Sequence, residues 1–309
     1  MPTRAPLMHS YANGSYFVKL FADGTKARYS TPEPNAFVPK PEQMDLKITN
    51  WCDAGCGWCH EKSTTAGLHA DLDKTAALLE SLNPGTEIAI GGGDPLSHPD
   101  FVPFVRLLRS KGLVPAVTIN GRHFARSKDT LLQLVADKDL FGIGLSIYNK
   151  LEDWDYPHLI HHAIAGITDP HLLMDSPQPL NVLVLGYKSF GRGAAIMHLQ
   201  PSFVNNNIAT WYRLLPLLAQ KHRLSFDNLA IEQLSPRRLF LNQADYTHRY
   251  MGPEGLFSMY VDAVTQTYAL CSYDDNKIPW RALSIEEMFQ DVRRTAHPHL
   301  FAGAEQDSA

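Results

Sequence analysis

From residue 44 onward, short apolar runs alternate with longer stretches in which apolar residues recur every three or four positions. The runs at 44–50 (MDLKITN), 87–91 (EIAIG), 114–119 (VPAVTI), 141–147 (FGIGLSI), 180–185 (PLNVLVL) and 227–233 (DNLAIEQ) predict strands. The stretches at 71–82, 99–111, 128–138, 153–165 and 208–221 predict helices. Leu78, Leu79 and Leu82 share one helical face, and Leu131, Leu132 and Val135 share another. Strand–helix alternation at this spacing predicts βαβ units and a parallel sheet. The expected class is α/β, a partial (β/α)6 TIM-like barrel. Its chemistry would sit in the loops at the C-terminal ends of the strands.

The flanks read differently. Residues 11–30 show strand-like stretches around Asn13-Gly14 and Asp23-Gly24, and Asp-Gly between apolar alternations predicts an N-terminal β-hairpin. Residues 31–43 carry four prolines and read as an irregular linker. After about residue 236 the periodicity weakens. Residues 256–273 read as strand, turn, strand. Residues 284–293 read as a helix opened by a Ser284/Glu287 capping box. The expected organisation is hairpin and linker over 1–43, barrel over 44–235, and a small α+β extension over 236–309 with a frayed tail from 302.

Composition trims the function classes. A chain of 309 residues suggests two domains at roughly 150 residues each, but the patterning favours one barrel with flanks. Lys plus Arg is 28 against 32 for Asp plus Glu, a net charge of −4, so no overall field attracts a phosphate backbone and a large nucleic-acid partner is disfavoured. The 44% hydrophobic content suffices for a sizeable core. No run of 18 apolar residues exists and MPTRAPLMHSYANGS lacks a signal-peptide core, so a cytoplasmic protein off the membrane is expected. Four cysteines exclude a disulfide-rich scaffold.

Three of those four fall within eight residues: Trp51-Cys52-Asp53-Ala54-Gly55-Cys56-Gly57-Trp58-Cys59-His60-Glu61, a C-x3-C-x2-C spacing directly after the first barrel strand. Soft thiolates in one loop suit an iron–sulfur cluster or zinc. Structural zinc takes four protein ligands, and the fourth cysteine, Cys271, is far along the chain. Three ligands on a four-iron cluster leave one iron open. A non-catalytic zinc or iron–sulfur module, and an electron carrier of ferredoxin type, are the competing readings. One βα unit later the second strand ends in Gly91-Gly92-Gly93-Asp94-Pro95, where missing side chains let backbone approach a ligand.

On these residues the chain resembles the radical S-adenosylmethionine (SAM) superfamily. The cysteine spacing, Trp58 before the third cysteine, and Gly-Gly-Gly-Asp-Pro all match, with Asp94 where the family commonly has Glu. Thr118-Ile119-Asn120-Gly121 and Leu145-Ser146-Ile147-Tyr148 are similar to the ends of the family's third and fourth strands.

The resemblance implies a [4Fe–4S] cluster on Cys52, Cys56 and Cys59, SAM on its open iron, and a protein electron donor such as flavodoxin or ferredoxin. It implies that Gly91, Gly92 and Gly93 meet the methionyl ammonium, with Asp94 adding a charge-assisted contact. Trp58 would lie near the adenine, and Asn120 and Ser146 near ribose or carboxylate. Lys188 or Arg192, in Gly186-Tyr187-Lys188-Ser189-Phe190-Gly191-Arg192-Gly193, could hold the cofactor carboxylate or an anionic substrate. Glu232, late in the sixth expected strand, is a substrate-site candidate facing the lumen, and Cys271 a candidate hydrogen-atom donor whose default is an inert buried thiol. The substrate is a peptide or protein, or else a small metabolite or nucleotide.

Overall fold

The computed structural model describes residues 5–30, 37–152 and 154–301. The first part of the expected linker, 31–36, and the polar tail, 302–309, lie outside the described residues.

Three antiparallel strands open the chain: β1 (Leu7–Asn13), β2 (Tyr16–Phe21) and β3 (Lys26–Ser30). They form a sheet of their own in the order β1-β2-β3, one strand more than a hairpin. Gly14 and Gly24, in the two turns, have φ of 69° and 81°, the left-handed region that glycine adopts without strain.

The main sheet starts with β4 (Gln43–Thr49), β5 (Glu87–Gly92), β6 (Val114–Asn120), β7 (Gly142–Ser146), β8 (Leu159–Ile164), β9 (Asn181–Leu185) and β10 (Arg223–Phe226). Each lies parallel to the next. On the other side of β4 lies β11 (Ser258–Asp262), also parallel, followed by antiparallel β12 (Thr267–Ala269) and β13 (Ile278–Pro279). The order is β10-β9-β8-β7-β6-β5-β4-β11-β12-β13, a mixed α/β fold built on one large, mainly parallel sheet.

Two expectations need correction. The helix expected at 153–165 is the strand β8, whose buried Leu159, His161 and Ala163 alternate with less buried Ile160, His162 and Ile164. That period of two was readable, and Pro157 argues against a helix through this stretch. The strand expected at 227–233 is a helix, Asn228–Leu234, and the true strand β10 precedes it. Asp227 caps that helix, its Oδ1 accepting from Ala230 N at 2.7 Å. A short apolar run such as Leu229-Ala230-Ile231 does not by itself distinguish the two. Among the described residues, the parallel strands between 43 and 226 therefore number seven, not six, and β11 adds an eighth.

Residues on the outer face of the sheet, including Leu46, Ile48, Ile88, Ile90, Val117 and Ile143, are almost fully buried. They share one core with side chains of helices Phe101–Ser110, Gly121–Ala136 and Ile285–Ala296, the last opened by the expected Ser284/Glu287 capping box. Val182 and Val184 of β9 pack with Trp211, Leu215 and Leu218 of helix Pro201–Lys221 in a second core. The inner face is unlike a packed barrel, whose interior is filled by large branched side chains. Here β5, β6 and β7 turn Ala89, Gly91, Ala116, Thr118, Gly142 and Gly144 inward. The result is a cavity of about 1040 Å³, lined by residues from every strand between β4 and β11. The sheet therefore curls around a hollow lumen, with β10 and β13 left as its edges. Among the described residues no helix is long and apolar enough to cross a membrane.

Candidate active site

The cysteine loop leaves the C-terminal end of β4 and turns over the lumen. Cys56 is buried, Cys52 and Cys59 are partly so, and all three are free thiols on the cavity wall. Cys52 N donates to Thr64 O at 2.9 Å, and Cys59 N to Cys56 O at 3.3 Å. Two sulfurs receive N–H donors: Ala54 N points at Cys52 Sγ and Asn120 Nδ2 at Cys56 Sγ, each at 3.4 Å. Such donors favour the thiolate. Burial opposes them and pushes both thiols up, with neighbouring sulfurs adding to the rise. A thiolate-binding metal centre reverses that balance.

The glycine strand end lies directly against this loop. Gly93 N donates to Thr49 O at 2.7 Å and Asp94 N to Trp51 O at 2.8 Å. A Cβ on Gly93 would stand 2.1 Å from Trp51 O, and Gly92 has φ of 114°, so neither position accommodates a side chain. A Cβ on Gly91 would meet nothing within 4 Å, because it opens into the lumen. The backbone of Gly91–Gly93 is thus exposed to the same cavity as the three cysteines.

Trp58, Asn120, Ser146, Lys188, Arg192 and Cys271 line that cavity as well. Trp58 stacks on Tyr148 with ring centroids 5.4 Å apart. Asn120 also caps helix Gly121–Ala136, its Oδ1 accepting from Arg122 N at 2.9 Å. Lys188 Nζ donates to Ser272 Oγ at 3.0 Å and lies 4.9 Å from the Tyr273 ring centre. Arg192 turns its guanidinium onto carbonyls of the cysteine loop rather than into open space. Burial, reinforced by Glu254, pushes the Cys271 thiol up to about 12, so it stays protonated at neutral pH.

Two candidates are not where the sequence suggested. Asp94 is 2% exposed and its carboxylate faces a separate cleft, held by Arg126 Nη2 at 2.6 Å. Its preceding glycines turn the chain so that backbone, not carboxylate, meets the lumen. Glu232 is exposed on helix Asn228–Leu234 and outside the cavity lining, as follows from the misread strand.

Several site residues had no sequence signal strong enough to single them out. Lys47, inward-facing on β4, bonds Glu61 at 2.6 Å and Asp262 at 3.0 Å. Burial lowers its pKa, but the two carboxylates outweigh that and leave it raised. Tyr260 donates to Glu61 at 3.0 Å, so the residue after His60 in the cysteine loop is tied to both β4 and β11. Charged Asp45 and Lys47 alternating with Met44, Leu46 and Ile48 in a strand expected to line the barrel were the available hint. Asp45 opens onto the lumen, whose enclosure raises its carboxyl pKa. His162 also faces the lumen, and burial, aided by His161 and Lys188, pulls it down to about 4.

Comparison with known proteins places this geometry. Residues 46–168 match the family model described as the Radical SAM superfamily. The Streptococcus suis protein SuiB bound to precursor peptide SuiA superposes with a TM-score of 0.53 at 10% identity, over 82% of this chain and 65% of that one. SuiB bound to S-adenosylmethionine gives 0.54 at 11% identity, over 85% of this chain and 69% of that one. The chain thus spans just under two thirds of the peptide-bound SuiB chain. At these identities the likeness is one of fold. No curated protein matches the chain significantly. The match at 46–168, which begins within β4 and takes in both the cysteine loop and the glycine strand end, marks that stretch of the chain as similar to the radical SAM superfamily.

Proposed function

We propose that this chain is a radical SAM enzyme whose Cys52, Cys56 and Cys59 hold a [4Fe–4S] cluster and whose glycine strand end receives SAM. The observation that carries the reading is the convergence of three thiols and the Gly91–Gly93 backbone on one hollow lumen. The donor set fits: three soft ligands from one loop suit an iron–sulfur cluster with one open iron, and a strand end without Cβ atoms leaves carbonyls free to face an ammonium. When bound, cluster and SAM together supply a 5′-deoxyadenosyl radical that takes a hydrogen atom from a substrate carbon.

The protein's part is binding, orientation and exclusion. Asn120 and Ala54 direct N–H groups at the sulfurs. Gly91, Gly92 and Gly93 present carbonyls to an ammonium. Trp58, held against Tyr148, offers a surface beside the adenine. Asn120 and Ser146, at adjacent strand ends, face ribose or carboxylate. The lumen, at about 1040 Å³, lies at the upper end of the roughly 300–1,000 Å³ of usual small-molecule pockets, in keeping with a large guest such as SAM.

Two substrate classes suit it. A small anionic metabolite or nucleotide would meet Lys188, Arg223 and Arg249 on the wall. A peptide would enter past Lys26 and Arg28 of β3, which line the same space. The electron comes from a small redox protein of flavodoxin or ferredoxin type.

The test is anaerobic reconstitution with iron and sulfide, reduction, addition of SAM, and assay for 5′-deoxyadenosine. Product dependent on all three cysteines supports the reading. Zinc by elemental analysis, with no cleavage product, makes the chain a metal-binding module instead. Cleavage measured against a panel of peptides and anionic metabolites separates the substrate classes.

A further inference from the structure

Outside the lumen, two carboxylates from the two halves of the proposed cofactor site meet on one arginine. Asp53 follows the first cysteine; Asp94 follows the three glycines. Arg126 Nη1 and Nη2 each bond an oxygen of Asp53 at 2.7 Å, and Nη2 also bonds Asp94 Oδ2 at 2.6 Å. None of the three residues lines the lumen. His123, one turn earlier on the same helix and 2% exposed, puts Nε2 2.8 Å from Asp53 Oδ1 and Nδ1 3.5 Å from Asp94 Oδ2. The helix Gly121–Ala136 grips the loop elsewhere too: Asn120 reaches Cys56 Sγ, and Arg122 Nη1 donates to Ala54 O at 2.5 Å.

The chemistry of the cluster is asymmetric. Without the guanidinium, a buried carboxylate and a half-exposed one would face each other with one imidazole between them. Asp94 is almost wholly shielded from water, so apart from the His123 ring its charge has little to replace the guanidinium. A bidentate fork fixes angle as well as distance, which a single ammonium does not.

We propose that Arg126 is a positioning residue that sets the cysteine loop against the glycine strand end, and that it governs SAM affinity rather than the chemical step. The inference rests on the cofactor reading above. Outer partners of this kind typically change affinity or activity by about 10- to 100-fold when removed.

The test uses the full chain reconstituted without air, as wild type, Arg126→Gln and Arg126→Lys. Four quantities are read: iron per chain, melting of the apo-protein, the half-saturating SAM concentration with its kcat, and the SAM concentration that alters the spin-resonance signal of the reduced cluster. In Arg126→Gln both SAM midpoints are expected to rise about tenfold while kcat stays within about twofold. Arg126→Lys is expected to recover only part of the loss. Should Arg126→Gln not fold, Asp53→Asn, at a half-exposed site, carries the test and is expected to shift the midpoints in the same direction by less. Unchanged SAM midpoints beside a cleaving wild type overturn the clamp alone, as does a kcat that falls with the midpoints unmoved. A wild type that binds no four-iron cluster overturns the cofactor reading and the clamp with it.

Discussion

Arg192 Nε donates to the Cys56 carbonyl oxygen at 2.8 Å, joining positions 136 residues apart in sequence. The same guanidinium donates through Nη1 to Ser63 O at 3.1 Å, and the Arg192 backbone N–H reaches Cys59 O at 3.0 Å. A loop expected to present a cation to a ligand instead braces the backbone that carries the cysteines. Arg192→Ala should leave the reconstituted cluster bound but speed its loss about tenfold, in keeping with outer-shell effects. Iron retained after timed exposure to a chelator checks this. Wild-type retention would show that the brace is dispensable.

The cysteines should divide three to one. Cys52→Ala, Cys56→Ala and Cys59→Ala each remove a thiol from the lumen wall beside the glycine strand end and should abolish stable cluster binding. Cys271 lies on the same wall, but its thiol stays protonated, with a pKa of about 12. Cys271→Ala should bind as much iron as wild type, measured as iron and sulfide per chain. A fall by a quarter or more would place Cys271 among the ligands.

Lys47 sits between Glu61 and Asp262 with only 7% of its side chain exposed. Lys47→Met leaves two carboxylates beside each other without their cation, and breaking a buried pair this way costs about 3–5 kcal/mol. The midpoint of urea denaturation of the apo-protein reads the loss directly. A change below about 1 kcal/mol would mean the carboxylates relax to water, as in a surface pair.

His162 gives the fold a pH signature. Its pKa falls from 6.5 to about 4, because burial disfavours the charged ring and His161 and Lys188 add repulsion. The unfolded chain therefore takes up this proton at a higher pH than the folded one. Stability from this group is full above about pH 6.5, falls as the pH drops toward about 4, and levels off below, a loss on the order of 3 kcal/mol. His162→Gln should flatten that segment of the stability–pH curve. An unchanged slope between pH 4 and 6.5 would mean that the ring is hydrated through the lumen.

Gly142 faces the lumen, and a Cβ there would meet only Ala116 Cβ at 3.4 Å. Gly142→Leu should fill space without displacing backbone. Substrate-independent cleavage of SAM should persist while turnover of a fitting substrate drops at least about tenfold. Equal loss of both would put the cofactor itself at that depth.

The chemistry-bearing segments were legible because they are local. C-x3-C-x2-C and the glycine strand end are contiguous in sequence, and the strands that carry them, β4 and β5, have strong apolar patterns. The strand β8 and the helix after Asp227 were misread because short apolar runs mix the two periods, and β10 is too short to stand out. What stayed invisible was long-range pairing. Asp53 and Arg126 are 73 residues apart, and Tyr260 and Glu61 are 199 apart. Nothing in a single charged residue tells which distant partner it faces. Asp94 shows the limit most sharply: a motif position whose side chain points away from the lumen that its neighbouring glycines line.

The placement of β11 beside β4 bears on how the protein is made. β4 leads straight into the cysteine loop, yet one of its edges is completed by residues 258–262. Such non-local pairing forms late, after the intervening chain has emerged. Throughout most of synthesis the strand beneath the three thiols has one unpaired edge, and Lys47 lacks Asp262. Nascent chains are thereby the population most open to oxidation of the three thiols and to aggregation through that edge.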